Sequence, residues 1–216
     1  MIEQQTVDDL LLAHAAGRLP EPVALTVATH LALSPAARAR YHGYEAVAGV
    51  LLEALEPEAL AADAWARAEA RLDAERGEPA LYQAPVSPDH LLLPRPLREY
   101  LPAPLHSLRW RSYGPIAEIE LPLGAPAYRT TLVRLRAGMP VPQHTHTGSE
   151  LTLVLDGAFH DATGHYRRGD LALADGSLDH RPTADEGQDC LCLSVTDAPR
   201  RMTGRLGRWL NPFIRF

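Results

Sequence analysis

A stretch of twenty residues, 138–157, constrains the fold of this chain more than any other. His144 and His146 lie in it two positions apart, so on a β-strand both imidazoles point to the same face. Glu150 follows after a short polar bend, and a second strand pattern continues over residues 151–155. Two imidazoles and a carboxylate on one face of a sheet are typical ligands of a transition metal. The spacing therefore predicts a strand-rich, metal-binding fold.

A second segment supplies the fourth predicted ligand. His180 follows a Gly-Asp turn at 169–170 and an alternating run at 171–174, which predicts another strand. The two segments resemble the two motifs of the cupin family. The first matches at every fixed position, and the second has Asp175 where the motif usually has proline. The resemblance implies a small β-barrel with three histidines and one glutamate inside it; the alternative is a hairpin with surface histidines.

Length and composition exclude several classes of function. With 216 residues the chain has room for one large or two small domains, and 46% hydrophobic residues suffice for a core. A net charge of −6 argues against direct binding of nucleic acid, which favours basic proteins. Two cysteines give no disulfide framework. The first residues do not resemble a signal peptide and no apolar run has spanning length, so we expect a cytoplasmic protein without membrane contact.

The chain divides into an α-helical part and a β-rich part. Residues 1–80 are rich in Ala and Leu with helical periodicity, a proline-rich linker follows at 81–97, and short alternating strands fill 98–216. We therefore predict two domains: a small all-α helical bundle followed by an all-β cupin, that is, a jelly-roll barrel or double-stranded β-helix. The helices are predicted at 7–16, 20–33, 35–55 and 57–76.

The order of these two domains resembles that of the ChrR-type anti-sigma factors. The resemblance covers nearly the whole chain. It rests on residues 15–17, 27–31, 150–155, 157–159, 189–193, 196–199 and 211–216. It implies that the helical domain binds a sigma factor of the extracytoplasmic-function type and keeps it from RNA polymerase. It also implies that the cupin domain senses a stress, reactive oxygen in the known cases, and triggers release.

The helical domain departs from this family at a zinc site. Family members hold a zinc ion there with a histidine near the N-terminus and a His-x3-Cys-x2-Cys motif. Here His30 is kept, but Ser34 and Ala37 stand in place of the cysteines. The early position has Gln4 and Gln5. One histidine cannot hold a structural Zn²⁺, which takes four N or S ligands. We therefore expect no zinc in the N-terminal domain, an N-cap from Ser34, and His30 in the core or at an interface.

The predicted cupin site leaves two chemistries open. Zn²⁺ with three histidines and one glutamate closes a tetrahedral structural or regulatory site. On the same ligands, Fe²⁺, Mn²⁺ or Ni²⁺ leaves two octahedral positions open for substrate or O₂. Resemblance to the anti-sigma factors favours zinc and a sigma-factor partner over an enzyme. The alternatives are a stand-alone metal-dependent cupin enzyme, of dioxygenase or isomerase type with a helical appendage, and a metal-binding module that forms a homodimer through its helices.

Two further groups of residues have open interpretations. Cys190 and Cys192 alternate with leucines, so both thiols share one face of a strand. They are either small buried hydrophobic side chains or an oxidisable pair near the metal. His160 and His165 flank a predicted hairpin tip, where we expect solvated loop residues. The arginines near the C-terminus, Arg200 among them, are expected to form a solvated basic face rather than to contact an acidic partner.

Overall fold

A computed structural model describes residues 6–74 and 92–204, in which an α-helical region precedes an antiparallel β-rich region. This confirms the predicted order of helices and strands. The helices are α1 (Val7–Ala15), α2 (Glu21–Leu33), α3 (Pro35–Glu53), α4 (Ala64–Ala74) and α5 (Arg95–Arg98). Within these two ranges, no helix is long and apolar enough to cross a membrane.

Side-chain caps fix the starts of α1 and α3. Thr6 Oγ1 accepts a hydrogen bond from the Asp9 N–H, and the Asp9 carboxylate accepts one from the Thr6 N–H, which is a complete capping box. At the start of α3, Ser34 Oγ accepts a hydrogen bond from the Ala37 N–H at 3.3 Å. The predicted cap from Ser34 is thus confirmed, and it satisfies one of the free N–H groups of the first helical turn.

The fourth helix begins later than the sequence pattern indicates. It starts at Ala64 rather than at residue 57. Asp63, a favoured N-cap residue type, stands directly before it, and the Asp63 carbonyl accepts a helical hydrogen bond from Arg67. The predicted end of this helix at 76 lies outside the described residues. So do Gln4, Gln5, the linker before 92 and the C-terminal stretch after 204.

The β-rich region contains three sheets in which every strand pair is antiparallel. The strands are β1 (Arg111–Tyr113), β2 (Ile116–Leu121), β3 (Arg129–Leu135), β4 (His144–His146), β5 (Glu150–Asp156), β6 (Ala158–His160), β7 (His165–Arg167), β8 (Leu171–Ala174), β9 (Thr183–Ala184), β10 (Cys190–Thr196) and β11 (Arg200–Met202). The largest sheet has the order β1-β2-β3-β10-β5-β8, and the smaller ones are β7-β6-β9 and β11-β4.

The six-stranded sheet is covered on both faces. On β10, Leu191, Leu193 and Val195 belong to the same hydrophobic core as the buried leucines of α1 and α2. The alternate residues Cys190 and Cys192 belong to a second core inside the barrel. Since successive side chains of a strand point to opposite faces, the helices pack on the outer face of the sheet. The inner face is left for the functional site.

Helix α2 ends against the turn that leads into β8. His30 Nδ1 lies 2.7 Å from the carbonyl oxygen of Gly169, which accepts its hydrogen bond. A Cβ placed on Gly169, whose φ is +91°, would lie 3.4 Å from Leu33 Cβ, so this glycine permits a close approach. Burial lowers the pKa of His30 and favours the neutral imidazole. His30 is thus buried where the helices pack on the sheet.

The end of the predicted linker 81–97 is ordered and packs on α2, with α5 starting at Arg95. Leu93 and Leu97 are buried in the core shared by helices and sheet. Tyr100 Oη donates a hydrogen bond to the Glu21 carboxylate at 3.1 Å. Helical and β-rich regions therefore share one core, and the predicted domain limits stay predictions.

Candidate metal centre

The fold brings the four predicted metal ligands together inside the barrel. His144 and His146 lie on β4 and Glu150 opens β5. His180 lies between β8 and β9, and its backbone pairs with that of His144 through two hydrogen bonds of 3.0 and 2.9 Å. All four residues are buried, with 2 to 7% of their surface exposed. The surface-hairpin alternative is therefore wrong.

The distances between donor atoms fit a divalent metal. One donor atom from each of the four side chains lies within 4.8 Å of the other three. His146 Nε2 is 3.1 Å from His180 Nε2 and 3.3 Å from Glu150 Oε2. Ligand atoms about 2.1 Å from an ion are roughly 3.4 Å apart in a tetrahedron and roughly 3 Å apart in an octahedron. Over 6–74 and 92–204, this is the one such group of three or more His, Cys, Asp or Glu side chains.

Hydrogen bonds fix the orientation of two of the imidazoles. His144 Nδ1 lies 2.9 Å from the Pro142 carbonyl oxygen, and His180 Nδ1 lies 2.7 Å from Asp161 Oδ2. Because a carbonyl and an ionised carboxylate only accept, each Nδ1 carries a hydrogen, and in the neutral form of each ring the lone pair is on Nε2. This is the usual arrangement of metal-binding histidines, in which the outer hydrogen bond sets the tautomer.

Asp161 is a functional residue that the sequence analysis missed. Its side chain is 2% exposed, although it lies at the hairpin between β6 and β7 that was expected to be solvated. The carboxylate also accepts hydrogen bonds from the N–H and Oγ1 of Thr163. Burial alone raises the pKa of Asp161, but the bonds from Thr163 and His180 outweigh it and lower the pKa. The Asp-x-Thr sequence predicts a turn, but nothing local indicates that the turn closes over His180.

The interpretation of Arg200 as part of a solvated face is wrong. Its Nη2 donates to Glu150 Oε1 at 2.5 Å, and Ser194 Oγ donates to the same oxygen at 2.5 Å. The Arg200 side chain is 21% exposed, and its neighbour Arg201 is the one that faces solvent. No pattern in the sequence distinguishes the two arginines. The antiparallel pairing of β11 with β4 is what directs Arg200 inward.

The electrostatics of the cluster suit a cation. Burial, and after it the charge of Arg200, lower the pKa of His144 from 6.5 to about 4. Burial likewise lowers the pKa of His146. Burial alone raises the pKa of Glu150, but Arg200, His146 and Ser194 outweigh it and bring the pKa to about 2. At neutral pH the site thus offers an ionised carboxylate and neutral imidazole nitrogens, which are the protonation states that a metal requires.

A cavity of about 60 Å³ adjoins the donor atoms. It has room for a few water-sized molecules. Its walls combine apolar side chains with the candidate ligands His144, Glu150 and His180. Cys192 also lines it, which places one of the two thiols close to the candidate centre.

The thiols of the two cysteines lie side by side, and that of Cys192 lines this cavity. Cys190 Sγ and Cys192 Sγ are 3.6 Å apart, and both residues are buried. The hydrogen bond between them and burial raise the pKa of the Cys192 thiol. Both side chains also belong to the inner hydrophobic core. The packing role is thus present in the structure, and the redox role stays a prediction.

His160 and His165 lie apart from the cluster. They are paired across strands β6 and β7 rather than in a loop, and both are exposed, as expected. His160 Nδ1 lies 3.2 Å from Asp185 Oδ1, and His165 Nε2 lies 2.7 Å from Asp185 Oδ2. One carboxylate thus joins the two imidazoles on the outer surface.

Comparison with known proteins gives the same architecture. A family described as the ChrR cupin-like domain matches residues 105–198. The chain is 41% identical over 215 residues to the anti-sigma-E factor ChrR of Cereibacter sphaeroides, and the match covers 99% of both chains. The protein belongs to the ChrR family. The predicted family and the predicted cupin fold are thereby confirmed.

A solved structure of the ChrR family agrees over most of the chain. The match is to the crystal structure of Rhodobacter sphaeroides SigE in complex with the anti-sigma ChrR. It has a TM-score of 0.72 at 39% identity, and covers 88% of this chain and 96% of the other. The chain therefore shares the helical region as well as the cupin domain with ChrR.

Proposed function

We propose that this protein is an anti-sigma factor that binds a sigma factor of the extracytoplasmic-function type in the cytoplasm and keeps it from RNA polymerase. Its membership of the ChrR family supports this function, since ChrR is an anti-sigma-E factor found in complex with SigE. The helical region would bind the sigma factor. The cupin domain would hold the metal and control release.

An exposed apolar face on the helical region carries this proposal. Val47, Val50, Leu51 and Leu55 follow helical spacing along one side of α3 and its end, and each is at least 59% exposed. Trp65 on α4 is 78% exposed. Monomeric proteins rarely expose contiguous apolar patches of this kind unless a partner covers them. Leu10 and Leu11 of α1 and Leu25 and Leu31 of α2, in contrast, are buried in the core shared with the sheet.

Capture experiments with the full-length chain test this docking face. The tagged protein is used to bind partners from extract of its native cells, which are identified by mass spectrometry. We expect one sigma factor per chain, and its loss in the variant Val50→Asp/Leu51→Asp. Each substitution removes about 2 kcal/mol of apolar burial, so the dissociation constant rises roughly 100-fold or more. The control is Glu53→Ala, an exposed change on the same helix.

The outcomes separate the docking face from the function itself. Equal capture of the sigma factor by the double variant would place the docking surface elsewhere on the chain. Absence of any sigma factor with the wild-type protein would contradict the anti-sigma function. A homodimer that the double variant abolishes would then support the alternative of self-association through the helices.

We propose Zn²⁺ as the metal of the cupin domain. His144, His146, Glu150 and His180 would hold it, and the three nitrogens and one oxygen can close a tetrahedral site. Measurement of metal content in protein purified from its native cells tests the identity of the ion. Iron or manganese in place of zinc would instead support the metal-dependent enzyme, since the cavity beside the ligands has room for O₂ or a small substrate.

We propose that oxidation of the cysteine pair is one signal for release. Cys190 Sγ and Cys192 Sγ are 3.6 Å apart, and Cys192 lines the cavity beside the ligands. A peroxide would accept two electrons from the pair: one S–S bond forms, the O–O bond breaks, and both thiol protons leave with the oxygen products. We expect peroxide to release the sigma factor from the wild type but not from Cys192→Ser. Equal release from both proteins would show that a disulfide between Cys190 and Cys192 is not the signal.

A further inference from the structure

β11, the last strand within the described residues, pairs with β4, the strand that carries two of the candidate ligands. Arg200 is opposite His146, and Met202 is opposite His144, in an antiparallel pair. Across the bend before β11, the Thr147 N–H donates to the Pro199 carbonyl at 3.3 Å. The position of the Arg200 backbone is therefore tied to the backbone of β4.

The two oxygens of the Glu150 carboxylate have different partners. Oε1 accepts hydrogen bonds from Ser194 Oγ and Arg200 Nη2. Oε2 lies 3.3 Å from His146 Nε2, within the cluster of donor atoms. Because Oε1 is held by two donors on the side of β10 and β11, only Oε2 is directed at the position where a metal would bind. The carboxylate is thereby prepared to act as a ligand through one oxygen.

Arg200 is itself held in place from its other side. Its Nη1 lies 3.7 Å from Glu118 Oε1, and Glu118 Oε2 accepts a hydrogen bond from Arg129 Nη2 at 3.0 Å. Alternating charges thus run from Arg129 on β3 through Glu118 on β2 and Arg200 to Glu150. The Glu118 side chain is 15% exposed, so water weakens these contacts less than it would at the surface. The planar guanidinium binds both carboxylates at once, which a lysine cannot reproduce.

We infer that Arg200 is a positioning residue of the metal centre, which holds Glu150 by Oε1 so that Oε2 alone coordinates the metal. Arg200 does not contact the metal. It acts through Glu150, and the ion pair with Glu118 holds the Arg200 guanidinium in position. Metal affinity and the coordination mode of the carboxylate should both depend on this arginine. The inference rests on the ligand set and not on the sigma-factor function.

Metal titration of the full-length Arg200→Gln variant tests the inference. Zn²⁺ is added to metal-free protein in competition with a chromophoric chelator. Loss of an outer partner of a metal ligand typically weakens binding 10- to 100-fold, and we expect a change of this size. Arg201→Gln is the matched control, since it removes the same charge from the adjacent, exposed position. We expect its affinity to stay within about twofold of the wild type.

The Co²⁺-loaded proteins separate positioning from a general effect on folding. Four-coordinate Co²⁺ absorbs visible light more strongly than five-coordinate Co²⁺. In Arg200→Gln, Glu150 Oε1 keeps only its hydrogen bond from Ser194. We expect both oxygens then to bind Co²⁺ and the absorption at saturating Co²⁺ to fall. Arg200→Lys keeps the charge but not the planar fork, so we expect it to recover the affinity only in part.

The Glu118→Gln variant covers the case in which Arg200→Gln fails to fold. It removes the anchor of the guanidinium without touching a ligand, and we expect a weaker loss of Zn²⁺ affinity in the same direction. Unchanged Zn²⁺ affinity and an unchanged Co²⁺ spectrum in the folded variants would overturn the inference. Tighter binding of Zn²⁺ by Arg200→Gln would also overturn it, because Arg200 would then act only as an opposing charge.

Discussion

Mild acid should destabilise the metal-free protein through His144. Burial lowers the pKa of this residue from 6.5 to about 4 in the folded state. Between these values the unfolded chain binds a proton that the folded chain does not, so stability falls as the pH drops through this window. A pKa difference of one between the folded and unfolded states corresponds to about 1.4 kcal/mol of stability. The full difference for His144 therefore corresponds to about 3 kcal/mol. About 2 kcal/mol of it is lost between pH 7 and pH 5.

Urea unfolding in the presence of a metal chelator, at pH 7 and at pH 5, measures this loss. Glu150 does not titrate between pH 7 and pH 5, because its pKa is lowered from 4.5 in the unfolded chain to about 2 in the folded state. The stability that the ionised Glu150 contributes is lost only as the pH falls below about 4.5. In His144→Gln the side chain cannot be protonated. We therefore expect the difference in unfolding free energy between the two pH values to shrink by about 2 kcal/mol.

His42→Gln provides the control, because it removes one imidazole from an exposed position on α3. Any change in this variant gives the effect of removing an exposed imidazole, with which the effect of His144→Gln is compared. If His144→Gln lost as much stability as the wild type between pH 7 and pH 5, burial of a neutral His144 would not be the source of the acid sensitivity. The reasoning from burial to linkage would then be refuted.

Three other changes test single features of the fold and site. Asp161→Asn keeps the shape but weakens the hydrogen bond to the imidazole of the candidate ligand His180. We therefore expect Zn²⁺ affinity to fall 10- to 100-fold in a chelator competition. The control is Asp185→Asn, which weakens hydrogen bonds to two imidazoles outside the cluster, and we expect little change in Zn²⁺ affinity. Gly157→Ala places a Cβ 2.5 Å from a backbone oxygen at a φ of +69° and should lower the melting temperature more than Gly114→Ala, whose Cβ meets no atom within 4 Å. Ser34→Ala removes an N-cap and should cost about 1 kcal/mol in urea unfolding; no loss would mean that the rest of the helix start compensates.

Much of the candidate site could be predicted because its signals are local. His144 and His146 are two residues apart, and a strand puts such side chains on one face whatever surrounds it. Glu150 follows within four residues, so a short bend suffices to bring it near. The cap at Ser34 is equally local, since it involves one turn of helix. The start of α4 was predicted too early because a proline such as Pro57 is compatible with the first turn of a helix and equally with an extended or turn segment.

The sequence by itself determined the ligand types, the alternation of β5 and β10 and the order of helices and strands, because each follows from residue spacing within a single element. Only the tertiary structure decided which partners hold the ligands. Asp161 and His180 are 19 residues apart, Glu150 and Arg200 are 50 apart, and His30 and Gly169 are 139 apart. These contacts depend on which strands pair, in what register, and on which face of the sheet the helices pack. Residue spacing within one segment does not predict strand pairing, register or helix packing, because these are set by the free energy of the whole fold and not of any one segment.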